Sequence, residues 1–67
     1  MNNIMTVDEL SEFLQLSPKT IYQYTSNRTL PFIKIGNRVR FDMQDIMNWL
    51  KAQKVMPELD DPETLKN

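Results

Sequence analysis

Between Ser17 and Phe41 the chain carries five basic residues, Lys19, Arg28, Lys34, Arg38 and Arg40, and neither Asp nor Glu. All nine acids lie outside that window, three before it and six after it, so a formal net charge of −1 conceals a basic segment. Gathered on one small fold, such charges suit a polyanion, and DNA is the first candidate. Polar groups able to read nucleotides stand among them. Lys19, Tyr22, Gln23 and Ser26 have the i, i+3, i+4, i+7 spacing that places them on one side of a helix. A glutamine bonds adenine N6 and N7 together, a lysine favours guanine O6 and N7, and a tyrosine meets a phosphate or a thymine methyl. Arginines on a hairpin suit a narrow minor groove, where the negative potential is deepest. Two plainer readings stand beside these: an ordinary solvated helix face for Lys19, Tyr22 and Gln23, and edge charges that block strand aggregation for Lys34 and Arg40.

Catalysis has little to work with. There is no cysteine and no histidine, which removes thiol nucleophiles, thiolate metal sites and the commonest general base and metal ligand. Asp42 and Asp45 are explained by helix capping, so neither a metal, a cofactor nor a catalytic residue is expected, and the chain reads as a non-enzyme. At 67 residues it holds one domain at most, and a chain of that size buries only about 60% of the surface its unfolded form exposes. Apolar stretches are short and nothing at the N-terminus reads as a signal segment, so export and membrane insertion are not expected. A cytoplasmic protein is the expectation.

The elements that must position the basic residues can be marked along the chain. Thr6 followed by Glu9 is a capping box, with Met5 able to staple onto Leu10, so a first helix starts at Val7 and presents Val7, Leu10, Phe13 and Leu14 on one side. Ser17 and Pro18 are a favoured N-cap and first helical residue, which opens a second helix about three residues after the first ends. Two helices so joined form a helix-turn-helix unit. Asn27 is the expected left-handed terminator. Ile21, Tyr24 and Thr25 share its inner side, with the Tyr24 hydroxyl expected to reach a phosphate.

From Phe32 to Phe41 the period changes to alternation around Gly36 and Asn37, the pattern of a hairpin. A two-residue loop would pair Ile35 with Arg38 and mix apolar and basic residues on each face. A three-residue loop would pair Ile35 with Val39 and Ile33 with Phe41, leaving Lys34 with Arg40 on the other face, and burial favours that register. Asp42 caps a third helix ending near Lys54, with Met43, Ile46, Met47, Trp49 and Leu50 as its apolar stripe and Trp49 holding it against the hairpin. Residues 55–67, with two prolines and four acids, read as an acidic, mostly disordered tail.

Helix, tight turn, helix, basic hairpin and capped helix together resemble the excisionase-type winged helix-turn-helix proteins, relatives of the MerR DNA-binding domain. The residues that carry the resemblance are Thr6-Val7-Asp8-Glu9-Leu10, Leu14, Ser17-Pro18-Lys19-Thr20-Ile21-Tyr22, Leu30-Pro31-Phe32, Lys34-Ile35-Gly36, Arg38-Val39-Arg40-Phe41-Asp42, Ile46, Trp49 and Leu50. One departure is that Arg28 or Thr29 stands where the family usually has a glycine shortly before Leu30-Pro31. The resemblance implies an α+β fold, a small winged helix-turn-helix over residues 5–54, with the second helix in the major groove and the hairpin as a wing on the backbone or minor groove. Carried over by position, Ser17, Lys19, Thr20, Tyr22 and Gln23 fall on the groove helix and Lys34, Asn37, Arg38 and Arg40 on the wing. Tyr24 and Arg28 are further candidates for DNA contact from the chain's own pattern.

The implied function is sequence-specific DNA binding, as a recombination directionality factor or a small transcriptional regulator. Its partners would be double-stranded DNA, a recombinase (integrase) or further copies of itself on DNA. Such a protein would be prokaryotic or phage-encoded and associated with the nucleoid. The alternative from another class is a module that docks an acidic protein and leaves DNA alone.

Overall fold

Thr6 opens the first helix as its spacing to Glu9 demands: the Thr6 amide donates to Glu9 Oε1 at 2.8 Å and the Glu9 amide donates to Thr6 Oγ1 at 3.2 Å. In the computed structural model, which describes residues 3–57, this capping box starts α1 (Val7–Leu14). Helix α2 (Pro18–Ser26) follows, with the Ser17 hydroxyl accepting from the Thr20 amide at 3.2 Å and Pro18 in the first turn. The turn between them is closed at Gln15, whose φ is 57°. There the Leu16 amide reaches back to the Ser11 carbonyl at 3.1 Å, and the Ser11 hydroxyl donates to the Leu16 carbonyl.

Helix α2 ends differently from expectation. Asn27 stays right-handed at φ −84°, and the left-handed residue is Arg28 at φ 57°. The Arg28 amide donates to the Thr25 carbonyl at 3.1 Å and the Thr29 amide to the Tyr24 carbonyl at 2.9 Å. This is the paired-bond geometry of a Schellman motif, which sets the left-handed residue one position beyond the cap.

Three strands complete the fold: β1 (Ile4–Met5), β2 (Ile33–Ile35) and β3 (Arg38–Asp42), in the antiparallel order β1-β3-β2. The short β1, without a pattern of its own, pairs Met5 with Phe41 and Ile4 with Asp42. In the hairpin, Ile33 faces Arg40, Lys34 faces Val39 and Ile35 faces Arg38, so the loop holds only Gly36 and Asn37 and the expected three-residue register is corrected. Gly36 has φ +63° and Asn37 does not share the positive sign, the combination a type II′ hairpin turn calls for. Burial could not outweigh that turn, because nothing covers the wing's far end: Ile35 remains 58% exposed. One face therefore carries Phe41, Val39 and Lys34, and the other Ile33, Ile35, Arg38 and Arg40. Lys34 and Arg40 lie on opposite faces, contrary to expectation.

Asp42 caps α3 (Met43–Gln53) by accepting from the Gln44 amide at 3.1 Å. Phe41, Leu10, Ile21, Leu30 and Ile46 are fully buried and form the core with Met5 and Val7. Trp49 is half-buried and its specific contacts lie toward α2: its Nε1 donates to the Thr29 carbonyl at 2.7 Å, and its ring meets that of Tyr24 at 6.2 Å between centroids. It thus ties α3 to the turn after α2, in addition to packing against the core that holds Phe41 of β3. The expected acidic tail lies outside the described residues from residue 58 onward.

Candidate nucleic-acid interface

Helix α2 separates its residues cleanly. Ile21 and Thr25 are buried, the Thr25 hydroxyl donating to the Tyr22 carbonyl at 2.8 Å, while Lys19, Tyr22, Gln23 and Ser26 all face outward. Tyr22 is 54% exposed, so its ring and hydroxyl are open to a ligand. Ser17 and Thr20 stand at the helix start with their hydroxyl oxygens 3.0 Å apart, so both are engaged in the cap. Tyr24 is half-buried against Trp49 and belongs to the inner side, apart from the outward stripe.

The wing comes to that stripe through a cleft of about 330 Å³ lined by Thr6, Val7 and Asp8 of the α1 entry, Tyr22 of α2, and Asn37 to Arg40 of the wing. Two of the wing bases, Arg38 and Arg40, thereby stand across a groove from the most exposed ring of α2. Arg40 folds back so that Nη1 donates to the Val39 carbonyl at 2.8 Å, which fixes its charge beside the strand. Among the described residues, the cationic groups of Lys19, Arg28, Lys34 and Arg38 have no hydrogen-bond or ion-pair partner. Unpaired cations on a short fold are free to neutralise phosphates, and each that does so releases counterions.

The structure does not bring every expected residue together. Lys34 sits on the opposite wing face from Arg38 and Arg40, and Arg28 borders a separate open hollow with Thr29, Leu30, Pro31 and Phe32. Asp8 is the addition that sequence reasoning missed: an acid within an otherwise basic cleft. Its place in the first turn of α1 is accounted for by the helix dipole, and only the tertiary approach of the wing reveals its second neighbourhood. Its carboxylate limits where a phosphate can lie and offers an acceptor to a base amine.

Among the described residues no group of three or more acidic side chains is placed to hold a metal, and no helix is long and apolar enough to cross a membrane. No curated protein and no solved structure matches the chain. Residues 4–54 do match a family model, described as a helix-turn-helix domain, and that span takes in α1, α2, the wing and α3. The chain belongs to this helix-turn-helix family and is a small α+β winged helix-turn-helix protein of the DNA-binding kind.

Proposed function

We propose that this is an excisionase-type, MerR-related winged helix-turn-helix protein that binds a specific DNA sequence and serves as a recombination directionality factor or a small transcriptional regulator. Helix α2 enters the major groove, where Lys19 and Gln23 read base edges, while Ser17, Thr20 and Tyr22 meet the backbone beside them. Asn37, Arg38 and Arg40 hold the backbone or minor groove from the wing, and Lys34 adds charge from its other face. The observation that carries this reading is the cleft that sets Tyr22 of α2 opposite Asn37, Arg38 and Arg40.

A module of this size covers about 600–1,000 Å² of its own surface on DNA. Affinity for one site is then modest, and adjacent copies or a recombinase supply the rest. The Trp49 clamp on Thr29 gives the arrangement rigidity, since it fixes the far end of the groove helix on the core.

The test is a titration against a random-sequence duplex at low and moderate salt, followed by site selection from a random pool. A DNA binder loses affinity steeply as salt rises. Gln23→Ala then relaxes preference at one base position by about 1–3 kcal/mol, whereas Arg40→Ala weakens all sequences alike and lowers the salt slope by about one. Equal loss of specific and random binding in both variants would overturn the division of roles. No salt-dependent duplex binding by the native chain would leave the acidic-protein module in its place.

A further inference from the structure

Arg28 occupies a position that the fold would fill better with glycine. Its φ of 57° lies in the left-handed region, where a side chain crowds its own backbone and glycine does not. The conformation is imposed from three directions: the Arg28 amide bonds the Thr25 carbonyl at 3.1 Å, the Thr29 amide bonds the Tyr24 carbonyl at 2.9 Å, and Trp49 Nε1 holds the Thr29 carbonyl at 2.7 Å. The side chain returns nothing to the fold. It is exposed, and its guanidinium has no partner among the described residues.

A charged residue held at a backbone cost, with a side chain the fold does not use, points to a use outside the fold. The surroundings indicate which. Arg28 stands at the rim of an open hollow of about 480 Å³ whose other walls are Thr29, Leu30, Pro31 and Phe32. Those walls offer apolar surface for a sugar ring, and the fixed Arg28 backbone presents a free guanidinium beside them for a phosphate, to which arginine donates two parallel hydrogen bonds. The hollow shares no lining residue with the cleft between α2 and the wing.

Resting on the DNA-binding reading above, we infer that the turn after α2 is a second backbone contact, in which Arg28 binds a DNA phosphate outside the helix-wing cleft. Position 28 then trades stability for affinity. Gln15 supplies the internal control, because it is also left-handed at φ 57° but uncharged and at the opposite end of α2.

The experiment compares the native chain with Arg28→Gly, Arg28→Lys and Gln15→Gly by thermal denaturation and by fluorescence titration of a labelled random-sequence duplex at several salt concentrations. Both glycine variants relieve a left-handed side chain, so each should raise Tm by about 4–8 °C. Only Arg28→Gly should lose affinity, severalfold at low salt, with the salt slope falling by about one. Arg28→Lys should keep that slope. An Arg28→Gly protein with raised Tm but native affinity and slope overturns the inference while leaving the DNA-binding reading intact. An unchanged Tm in Arg28→Gly overturns the trade-off. Loss of affinity in Gln15→Gly as well would show that the backbone at these turns, and no guanidinium, governs binding. Absence of salt-dependent duplex binding by the native chain removes the reading itself, an outcome distinct from the others.

Discussion

The helix pair and the hairpin divide their side chains by different rules. In α2 every outward position of the Lys19–Ser26 stripe is polar or a hydroxyl-bearing ring, and the inward positions Ile21 and Thr25 are buried with the Thr25 hydroxyl satisfied. In the hairpin the apolar residues are split: Phe41 is fully buried, whereas Ile35 stands 58% exposed on the same face as Arg38 and Arg40. The difference teaches where burial has authority. Helix α2, seated on the core, is sorted by burial along its length, while the wing is sorted so only at its root and is set by its turn beyond that.

The root of the wing offers the sharpest test. Phe41 has no exposed surface and pairs with Met5 across the sheet. Phe41→Ala should cost about 3–5 kcal/mol, close to all the stability that so small a domain has. The expected result is loss of the cooperative thermal transition by circular dichroism. A variant that melted within a few degrees of native would mean that the hairpin root is no more buried than its tip, and the comparison would fail.

The turn itself is the next target. Gly36 has φ +63° and no atom within 4 Å of where a Cβ would sit, so alanine there meets backbone strain alone. Gly36→Ala should destabilise by about 1–2 kcal/mol, read as a lower Tm with the wing strands loosened in hydrogen exchange. A neutral substitution would show that the turn does not hold the register.

These regions also differ in how legible they are in the sequence. Thr6 with Glu9, Ser17 with Pro18, and Asp42 announce helix starts because a cap is local chemistry, complete within four residues. The outward stripe of α2 was legible for the same reason, a fixed helical period. The register of the hairpin was not, because two loop lengths place the alternation on different faces, and the burial that would decide between them is missing at the wing tip. The bond from Trp49 to a loop carbonyl twenty residues away was not legible, because no spacing encodes it. Arg28 took the left-handed position expected of Asn27 because the end of α2 is fixed by paired backbone bonds, and side-chain preference only follows. Asp8 entered the cleft through a tertiary approach, and β1 through pairing with a strand more than thirty residues on.

On the helical side the corresponding local device is Ser17. Its oxygen accepts from the Thr20 amide at 3.2 Å, and Ser17→Ala should cost about 1 kcal/mol, seen as a fall in Tm. Ser17→Asp should restore the native Tm, since a carboxylate caps as well and complements the helix dipole. Under the proposed function that same charge should weaken duplex binding, by placing an acid where α2 approaches phosphate. Equal melting of the alanine variant and the native chain would deny the cap its part in ordering the groove helix.

The smallest expected effect is the one that separates the two registers most directly. Ile35 faces Arg38 and lies on the uncovered side of the wing, so Ile35→Thr, which keeps the β-branched shape, should change stability by less than about 0.5 kcal/mol. Had the loop held three residues, Ile35 would pair with Val39 on the apolar face and the same change would bury a hydroxyl, at a cost of about 1–3 kcal/mol. Thermal denaturation distinguishes these outcomes, and a nuclear Overhauser contact between the α-protons of Lys34 and Val39 identifies the pairing independently. A large loss of stability in Ile35→Thr would mean that the tip of the wing is covered after all, and that burial sorts the hairpin as it sorts α2.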